Sequence, residues 1–172
     1  MRTKIVIKNL YKFKKAWQIG KARRVSALMN QVINSNEFKN EVLEWKFSDR
    51  RYRHSSNEDY QEISDNNKIL EILMKGYEQN SNEGEDYTWV LNIKLGRLLR
   101  QVGRREGDLI ITQNWFFKKP DNEIEIAAHW FHEYSHILGF HHDYDSTERR
   151  PDSVPYALGT IVKKVLENSN IM

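Results

Sequence analysis

The most informative stretch of the sequence is residues 132–142, His-Glu-Tyr-Ser-His-Ile-Leu-Gly-Phe-His-His. His132 and His136 are four residues apart, so on a helix their side chains lie on one face, one turn apart. Their imidazoles can therefore bind a single metal ion. Glu133 follows His132 directly, so its carboxylate is rotated off the line of ligands and can reach a water on that ion. This spacing predicts two histidine ligands and a glutamate general base.

Gly139 predicts the end of this helix, because glycine adopts the left-handed backbone conformation at little steric cost. The chain would then turn and bring His142 beneath the first two histidines as a third ligand. Three histidines suit Zn²⁺ and leave a fourth position for water. Zinc would lower the pKa of that water to about 7, and Glu133 would pass its proton to the leaving amine.

The pattern H-E-x-x-H-x-x-G-x-x-H resembles the zinc motif of the metzincin metallopeptidases. All five defined positions match: His132, Glu133, His136, Gly139 and His142. The resemblance implies a zinc-dependent endopeptidase with a polypeptide substrate. It also implies an α/β (α+β) zincin-like fold, in which helices back a small mixed twisted sheet and a C-terminal helix follows the active-site helix. The alternative is a catalytically silent zinc-binding module, such as part of a phage particle or a host-interaction protein.

The sequence departs from the metzincins at the methionine turn that lies beneath their zinc. Residues 153–159, Ser-Val-Pro-Tyr-Ala-Leu-Gly, stand where this turn is expected, and Pro155 occupies the methionine's place. This segment, the motif and the small size are similar to compact zincin-like proteins of phages and bacteria. In some metzincins a tyrosine just past the turn stabilises the oxyanion, although the offset here is one residue shorter. Tyr156 is therefore a candidate catalytic residue, with simple packing as the alternative.

The other histidines are weaker ligand candidates. His129 lies one turn before the motif and is expected to be a wall residue of the site. His141 would replace His142 if the chain slipped by one residue, but the spacing of the motif favours His142. His54 lies in a polar stretch and is expected to be exposed.

Acidic and aromatic neighbours of the motif have two interpretations each. Asp143 and Asp145 either orient a ligating imidazole or are solvated acids of a turn. If the resemblance holds, residues 112–115 form the rim of the cleft, where an extended substrate can add to the sheet edge. Phe116 and Phe117 are at least as well explained as core residues.

Length and composition favour one folded domain. The chain has 172 residues, 39% of them hydrophobic, which is enough for a sizeable core. It has no cysteine, which excludes disulfides and thiolate metal sites. No stretch approaches the roughly 18 apolar residues of a membrane span or resembles a signal peptide. We therefore expect a cytoplasmic or phage-associated protein, monomeric by default.

Charge patterning argues against a dedicated nucleic-acid binder. The 27 lysines and arginines nearly balance 24 acidic residues, so the net charge is only +3. Residues 11–17 mix lysines with aromatics, and residues 97–105 hold four arginines. The first is expected to be a solvated face and the second a charged edge or turn. Nucleic-acid binding remains a minor alternative, testable by salt-dependent retention on DNA.

Hydrophobic periodicity outlines the remaining elements. Helices are predicted over residues 21–34 and 65–77. Three further helices are predicted to begin after the N-cap residues Asn34, Asn122 and Ser153. In the last helix Pro155 occupies the first turn. Strands are predicted over residues 4–9, 45–52, 87–95 and 108–114, with glycines 103 and 107 around a turn and loops over residues 55–64 and 79–86.

Overall fold

The computed structural model describes residues 2–53, 58–76 and 87–169. The helices in these ranges are α1 (Ala16–Asn34), α2 (Asn36–Glu44), α3 (Asn66–Lys75), α4 (Asn114–Phe117), α5 (Glu123–Leu138) and α6 (Val154–Asn168). The strands are β1 (Thr3–Tyr11), β2 (Arg51–Tyr52), β3 (Gln61–Glu62), β4 (Tyr87–Gly96), β5 (Gly103–Glu106) and β6 (Leu109–Gln113). The predicted combination of helices with a mixed sheet is confirmed. His54 and the predicted loop over 79–86 lie outside the described residues.

The main sheet has the strand order β1-β4-β6-β5. Strands β1, β4 and β6 are parallel, and β5 runs antiparallel to β6 at the edge. The alternation predicted for residues 87–95 is confirmed, because Trp89, Leu91, Ile93 and Leu95 are all buried. Strands β2 and β3 form a separate antiparallel pair. Among the described helices, none is long and apolar enough to cross a membrane.

Helix α1 covers the sheet and starts five residues before the predicted position. The predicted apolar stripe is buried, including Val25 and Met29. The extra turn forms because Gln18 Oε1 accepts hydrogen bonds from the backbone N–H groups of Lys14 (2.9 Å) and Lys15 (3.0 Å). The buried residues here, Gln18 and Lys21, are polar, so the apolar stripe does not extend over this turn and the sequence pattern does not reveal it.

Helix α5 carries the motif and is buried on nearly all sides, as its composition predicts. Asn122 occupies the predicted N-cap position, but its side chain makes no cap hydrogen bond. Instead Asn122 Nδ2 donates to the Phe116 carbonyl (2.7 Å), and Oδ1 accepts from Lys21 Nζ (2.6 Å). Asn122 therefore fastens the start of α5 to α4 and α1.

Strand β5 corrects two expectations about the region before α5. Residues 103–106 form a strand rather than a turn, and the chain reverses at Gly107, whose φ is 62°. Strand β6 is consequently paired on both sides, and Thr112 and Gln113 are buried. The rim predicted at residues 112–115 therefore belongs to β5. Pairing with β6 decides this placement, and the polar sequence of β5 contains no alternation that would predict it.

Candidate metal centre

Three histidines meet at the end of α5. The helix places His132 and His136 one turn apart, and His142 follows the helix. One ring nitrogen from each lies within 4.8 Å of the others, and this is a group of the described residues that can hold a metal ion. The Nε2 atoms of His132 and His136 are 3.3 Å apart. The structure therefore brings together the three predicted ligands.

Gly139 ends the helix in the way the sequence predicts. Its φ is 112°, and its N–H donates to the carbonyl of His136 (3.2 Å). A Cβ atom at this position would overlap the carbonyl oxygen of Arg53. Glycine is therefore required both by the backbone conformation and by the close approach of another segment.

That segment is residues 48–53, here named the strap. Its C-terminal half pairs with the chain that leads to His142. Arg53 N–H donates to the Gly139 carbonyl (2.9 Å), and His141 N–H donates to the Arg51 carbonyl (3.0 Å). These two hydrogen bonds fix the path of the backbone just before His142.

The N-terminal half of the strap holds the start of α6. Ser48 N–H donates to the Asp152 carbonyl (3.0 Å), and Val154 N–H donates to the Asp49 carbonyl (3.1 Å). The strap thus binds both the loop that carries His142 and the chain that leads into α6. The strand predicted over residues 45–52 is reduced to the two residues of β2, because most of the strap's hydrogen bonds go to these loops.

Backbone carbonyls orient the imidazoles. His136 Nδ1 donates to the carbonyl of Phe140 (2.8 Å), and His142 Nδ1 donates to the carbonyl of Asp143 (2.7 Å). A carbonyl can only accept, so each Nδ1 carries the proton. Each Nε2 therefore presents a lone pair, which is the form that binds a metal.

His132 is oriented by the first turn of α6. It makes a hydrogen bond to the backbone of Pro155. Because proline has no N–H, the acceptor is the Pro155 carbonyl. The base of the site is thus built by the start of α6.

Asp143 acts through its backbone and not through its carboxylate. The carboxylate forms an ion pair with Arg51 and accepts a hydrogen bond from Thr147 Oγ1 (2.8 Å). Asp145 is exposed, and its carbonyl accepts from the N–H of Thr147 (3.0 Å). Of the two predicted orienting residues, only Asp143 contacts a ligating imidazole.

The protein environment keeps the three imidazoles neutral. Burial lowers the pKa of His132 well below its usual value and lowers the pKa of His136 to about 3. Burial also lowers the pKa of His142. Neutral imidazole is the ligating form, so the site is ready for a cation at neutral pH.

Glu133 lies beside the histidines with 7% of its surface exposed. Burial raises its pKa to about 7, and the charge and backbone N–H of Arg105 lower it by a smaller amount. Its Oε1 lies 3.6 Å from His129 Nδ1. A carboxylate with this pKa can both accept and release a proton near neutral pH.

Glu133 and His132 face a cleft of about 550 Å³. Helices α5 and α6 form two walls, and the start of β5 lines the third side. Two small residues, Ala128 of α5 and Gly159 of α6, are among those that line the cleft. The reactive carboxylate is therefore accessible to a bound molecule, although its own helix is buried.

Tyr156 lies against the histidine group. Its ring centroid is 4.6 Å from that of His132 and 4.8 Å from that of His142. Its hydroxyl accepts a hydrogen bond of 2.5 Å from Arg150 Nη2, and the guanidinium also lies over the ring. The Tyr156 hydroxyl can therefore donate a hydrogen bond of its own to a molecule bound in the cleft. Arg150 was not predicted, because it lies in a loop without periodicity or motif.

The other two histidines of the motif region lie outside the metal-binding group. Burial lowers the pKa of His129 to about 4, and a hydrogen bond to the backbone of Ile111 opposes this shift. His129 forms the wall beside Glu133, as predicted. His141 packs edge-on against Tyr60, with the ring centroids 4.9 Å apart. The structure therefore selects His142 over His141.

Comparisons of the chain with protein-family models, with curated proteins and with solved structures found no match. The chemistry of this centre is therefore the basis for inferring a function.

Proposed function

We propose that the protein is a zinc-dependent endopeptidase with a zincin-like fold. The observation that carries the proposal is the pair of Nε2 atoms of His132 and His136, which face each other at 3.3 Å beside the buried Glu133. Two lone pairs at this distance repel each other unless a cation lies between them. The combination of a mixed sheet with helices, and the helix α6 that follows the motif, support the proposed fold.

The donor set fits zinc. Two ligands of a tetrahedral zinc ion, each about 2.0–2.1 Å from the metal, are roughly 3.3 Å apart. The Nε2 separation of His132 and His136 has this value. Three neutral imidazoles are a common zinc ligand set and leave a position for water. We assign His132, His136 and His142 as the residues that hold the ion.

A zinc ion in this site would supply a Lewis acid that polarises the scissile carbonyl and acidifies water. Glu133 then accepts a proton from the attacking water and delivers it to the leaving amine nitrogen. Its raised pKa of about 7 suits both transfers. Tyr156 donates its hydroxyl proton to the oxygen that becomes negatively charged, and Arg150 holds that hydroxyl in position.

Strand β5 offers a means of binding an extended peptide. Among the described residues it pairs in the sheet only with β6, and its other edge faces the cleft at Gly103 and the Glu133 carboxylate at the N–H of Arg105. A peptide can add to such an edge through backbone hydrogen bonds, which bind any sequence.

Glu133→Gln provides the decisive experiment. We expect the zinc-loaded wild type to cleave members of a fluorogenic peptide library, and the variant to be at least about 100-fold slower, as for loss of a general base. Both proteins should contain one zinc by elemental analysis. The matched control is Glu125→Gln, which lies on the same helix and lines the same cleft, and should keep its activity.

The outcome also separates the alternative function. If the zinc-loaded wild type cleaves no peptide or unfolded protein, a catalytically silent zinc-binding module is favoured. If no zinc binds to the wild type, both functions are excluded.

A further inference from the structure

The small net charge of the chain conceals two regions of opposite sign. Residues 1–36 contain nine lysines and arginines and no acidic residue. The other 136 residues contain 18 basic and 24 acidic residues, a net charge of −6. Such an asymmetric distribution of charge along the sequence is typical of proteins that bind a polyanion through their basic region.

The fold concentrates these charges along β1. Three clefts formed by described residues follow this strand, with volumes of about 430, 470 and 310 Å³. Neighbouring clefts share a lining residue, since Lys8 lines the first and the second and Lys12 lines the second and the third. We name the basic side chains of these clefts the basic edge; they are Lys8, Lys12, Lys14, Lys15, Arg23, Lys94, Arg97 and Lys118.

The basic edge joins two stretches that are far apart in sequence. Strands β1 and β4 are parallel neighbours, and Tyr11 pairs with Lys94 where both strands end. The lysines after β1 therefore meet Arg97, which follows β4. Each stretch alone is typical of a solvated face, whereas together they line one cleft.

The charges of the basic edge are not neutralised within the protein. Over residues 2–53, 58–76 and 87–169, no ion pair includes a side chain of the basic edge. Asp108 is the only acidic residue among those that line the three clefts, and it accepts a hydrogen bond from Asn92. On other faces, Lys68 and Lys164 pair with glutamates. The basic edge is therefore available to an external anion.

Two exposed aromatic rings accompany these charges. Tyr11 lines the second cleft and is 48% exposed, and Trp17 in the first turn of α1 is 45% exposed. Basic clefts with aromatic side chains bind single-stranded nucleic acids, because the cations contact phosphates and the rings stack on bases.

We propose that the basic edge binds single-stranded nucleic acid. The lysines and arginines contact the phosphate backbone, and Tyr11 and Trp17 stack on bases. The edge formed by β1 lies opposite β5 in the sheet, three strand spacings or roughly 14 Å away. A bound strand thus leaves the cleft beside Glu133 open, and the proposal does not depend on peptidase activity.

The test is fluorescence anisotropy with a labelled 20-nucleotide single strand and the full-length zinc-loaded protein. Contact with about five phosphates predicts a slope of roughly −3.5 in log K against log salt concentration. The triple substitution Lys12→Gln, Lys14→Gln and Lys15→Gln should reduce the affinity at least tenfold and make the slope shallower by about 2. If this variant does not fold, the double substitution Lys94→Gln and Arg97→Gln tests the same surface.

The matched control is Lys46→Gln, Lys68→Gln and Lys164→Gln, which removes the same charge elsewhere and should change the affinity less than twofold. Tyr11→Leu should weaken single-strand binding without changing the salt slope. An equal loss in both triple variants would indicate a net-charge effect and would overturn the proposal. So would equal affinity for duplex DNA, or binding to phosphatidylserine vesicles without binding to the oligonucleotide.

Discussion

The three histidines are oriented by backbone carbonyls and not by carboxylates. His136 and His142 donate to carbonyls of the loop after α5, and His132 donates to the start of α6. A carboxylate partner raises the basicity of a ligand, whereas a neutral carbonyl mainly fixes its tautomer and direction. We infer that a metal ion in this site keeps more of its positive charge and remains a strong Lewis acid.

Tyr156→Phe tests the residue that contacts both His132 and His142. The phenyl ring keeps the packing against the imidazoles but cannot donate a hydrogen bond. We expect kcat/KM for peptide cleavage to fall about 100-fold, with zinc affinity unchanged. The control Tyr11→Phe, on the far edge of the sheet, should retain full activity. Loss of zinc from the Tyr156 variant would instead indicate a structural role.

His129 makes the metal-free protein sensitive to acid. Its buried imidazole has a pKa of about 4, below the value near 6.5 of an unfolded chain. As the pH falls through this interval, the unfolded state binds the proton first, so stability decreases. The loss is about 2 kcal/mol between pH 6.5 and 5. We expect the free energy of unfolding of His129→Leu, measured in urea, to fall by about 2 kcal/mol less than that of the wild type over the same pH interval. Equal decreases in the two proteins would contradict this prediction.

At the scale of elements, the strap is the part of the fold that completes the site. Helix α5 alone positions two ligands and the carboxylate, but the third ligand lies on the loop after α5 and Tyr156 lies in the first turn of α6. The strap holds both through backbone hydrogen bonds. Its side chains add an ion-pair network in which Arg51 connects the fully buried Asp49 to Asp143.

Arg51→Met should therefore weaken both the fold and the metal site. It leaves the carboxylate of Asp49 buried without its cation, and we expect a destabilisation of about 2 kcal/mol because Arg51 itself is partly exposed. Release of the loop around Asp143 should lower zinc affinity ten- to a hundred-fold, measured by competition with a chelator. Arg104→Met breaks an exposed pair with Glu106 and should change neither quantity measurably.

At the scale of the whole molecule, α5 is held between the sheet and the other helices. Trp130 Nε1 donates to Thr112 Oγ1 (2.9 Å), and Tyr134 accepts from the N–H of Val90 (3.1 Å). The ring of Tyr134 also stacks on Trp89. Buried packing on this scale keeps the imidazole rotamers fixed, which is what a preorganised metal site requires.

Metal binding should therefore stabilise the entire fold. The ligands come from α5 and from the loop after it, and they converge only when the chain is folded. With free zinc at 1,000 times its dissociation constant, we expect a gain of about 4 kcal/mol. That corresponds to a rise in Tm of roughly 10 °C by calorimetry. The shift should be reduced by His142→Ala and removed by a chelator, and an unchanged Tm would contradict zinc binding.

Features that depend on local geometry could be predicted from the sequence alone. The four-residue spacing places His132 and His136 on one face, and Gly139 ends the helix, because helix periodicity and glycine conformation act over a few residues. The alternation in β4 and the buried stripe of α1 follow from the same short-range rules.

Which distant segments contact one another could not be predicted from the sequence and is seen only in the folded chain. The placement of β5 beside α5, the strap against Gly139, the contact of Arg150 with Tyr156 and the joining of the basic edge all link residues distant in the chain. These segments are polar and lack periodicity, so no local pattern marks their partners. Their positions follow from sheet pairing and from the need of buried backbone groups for hydrogen bonds, which the whole fold satisfies together.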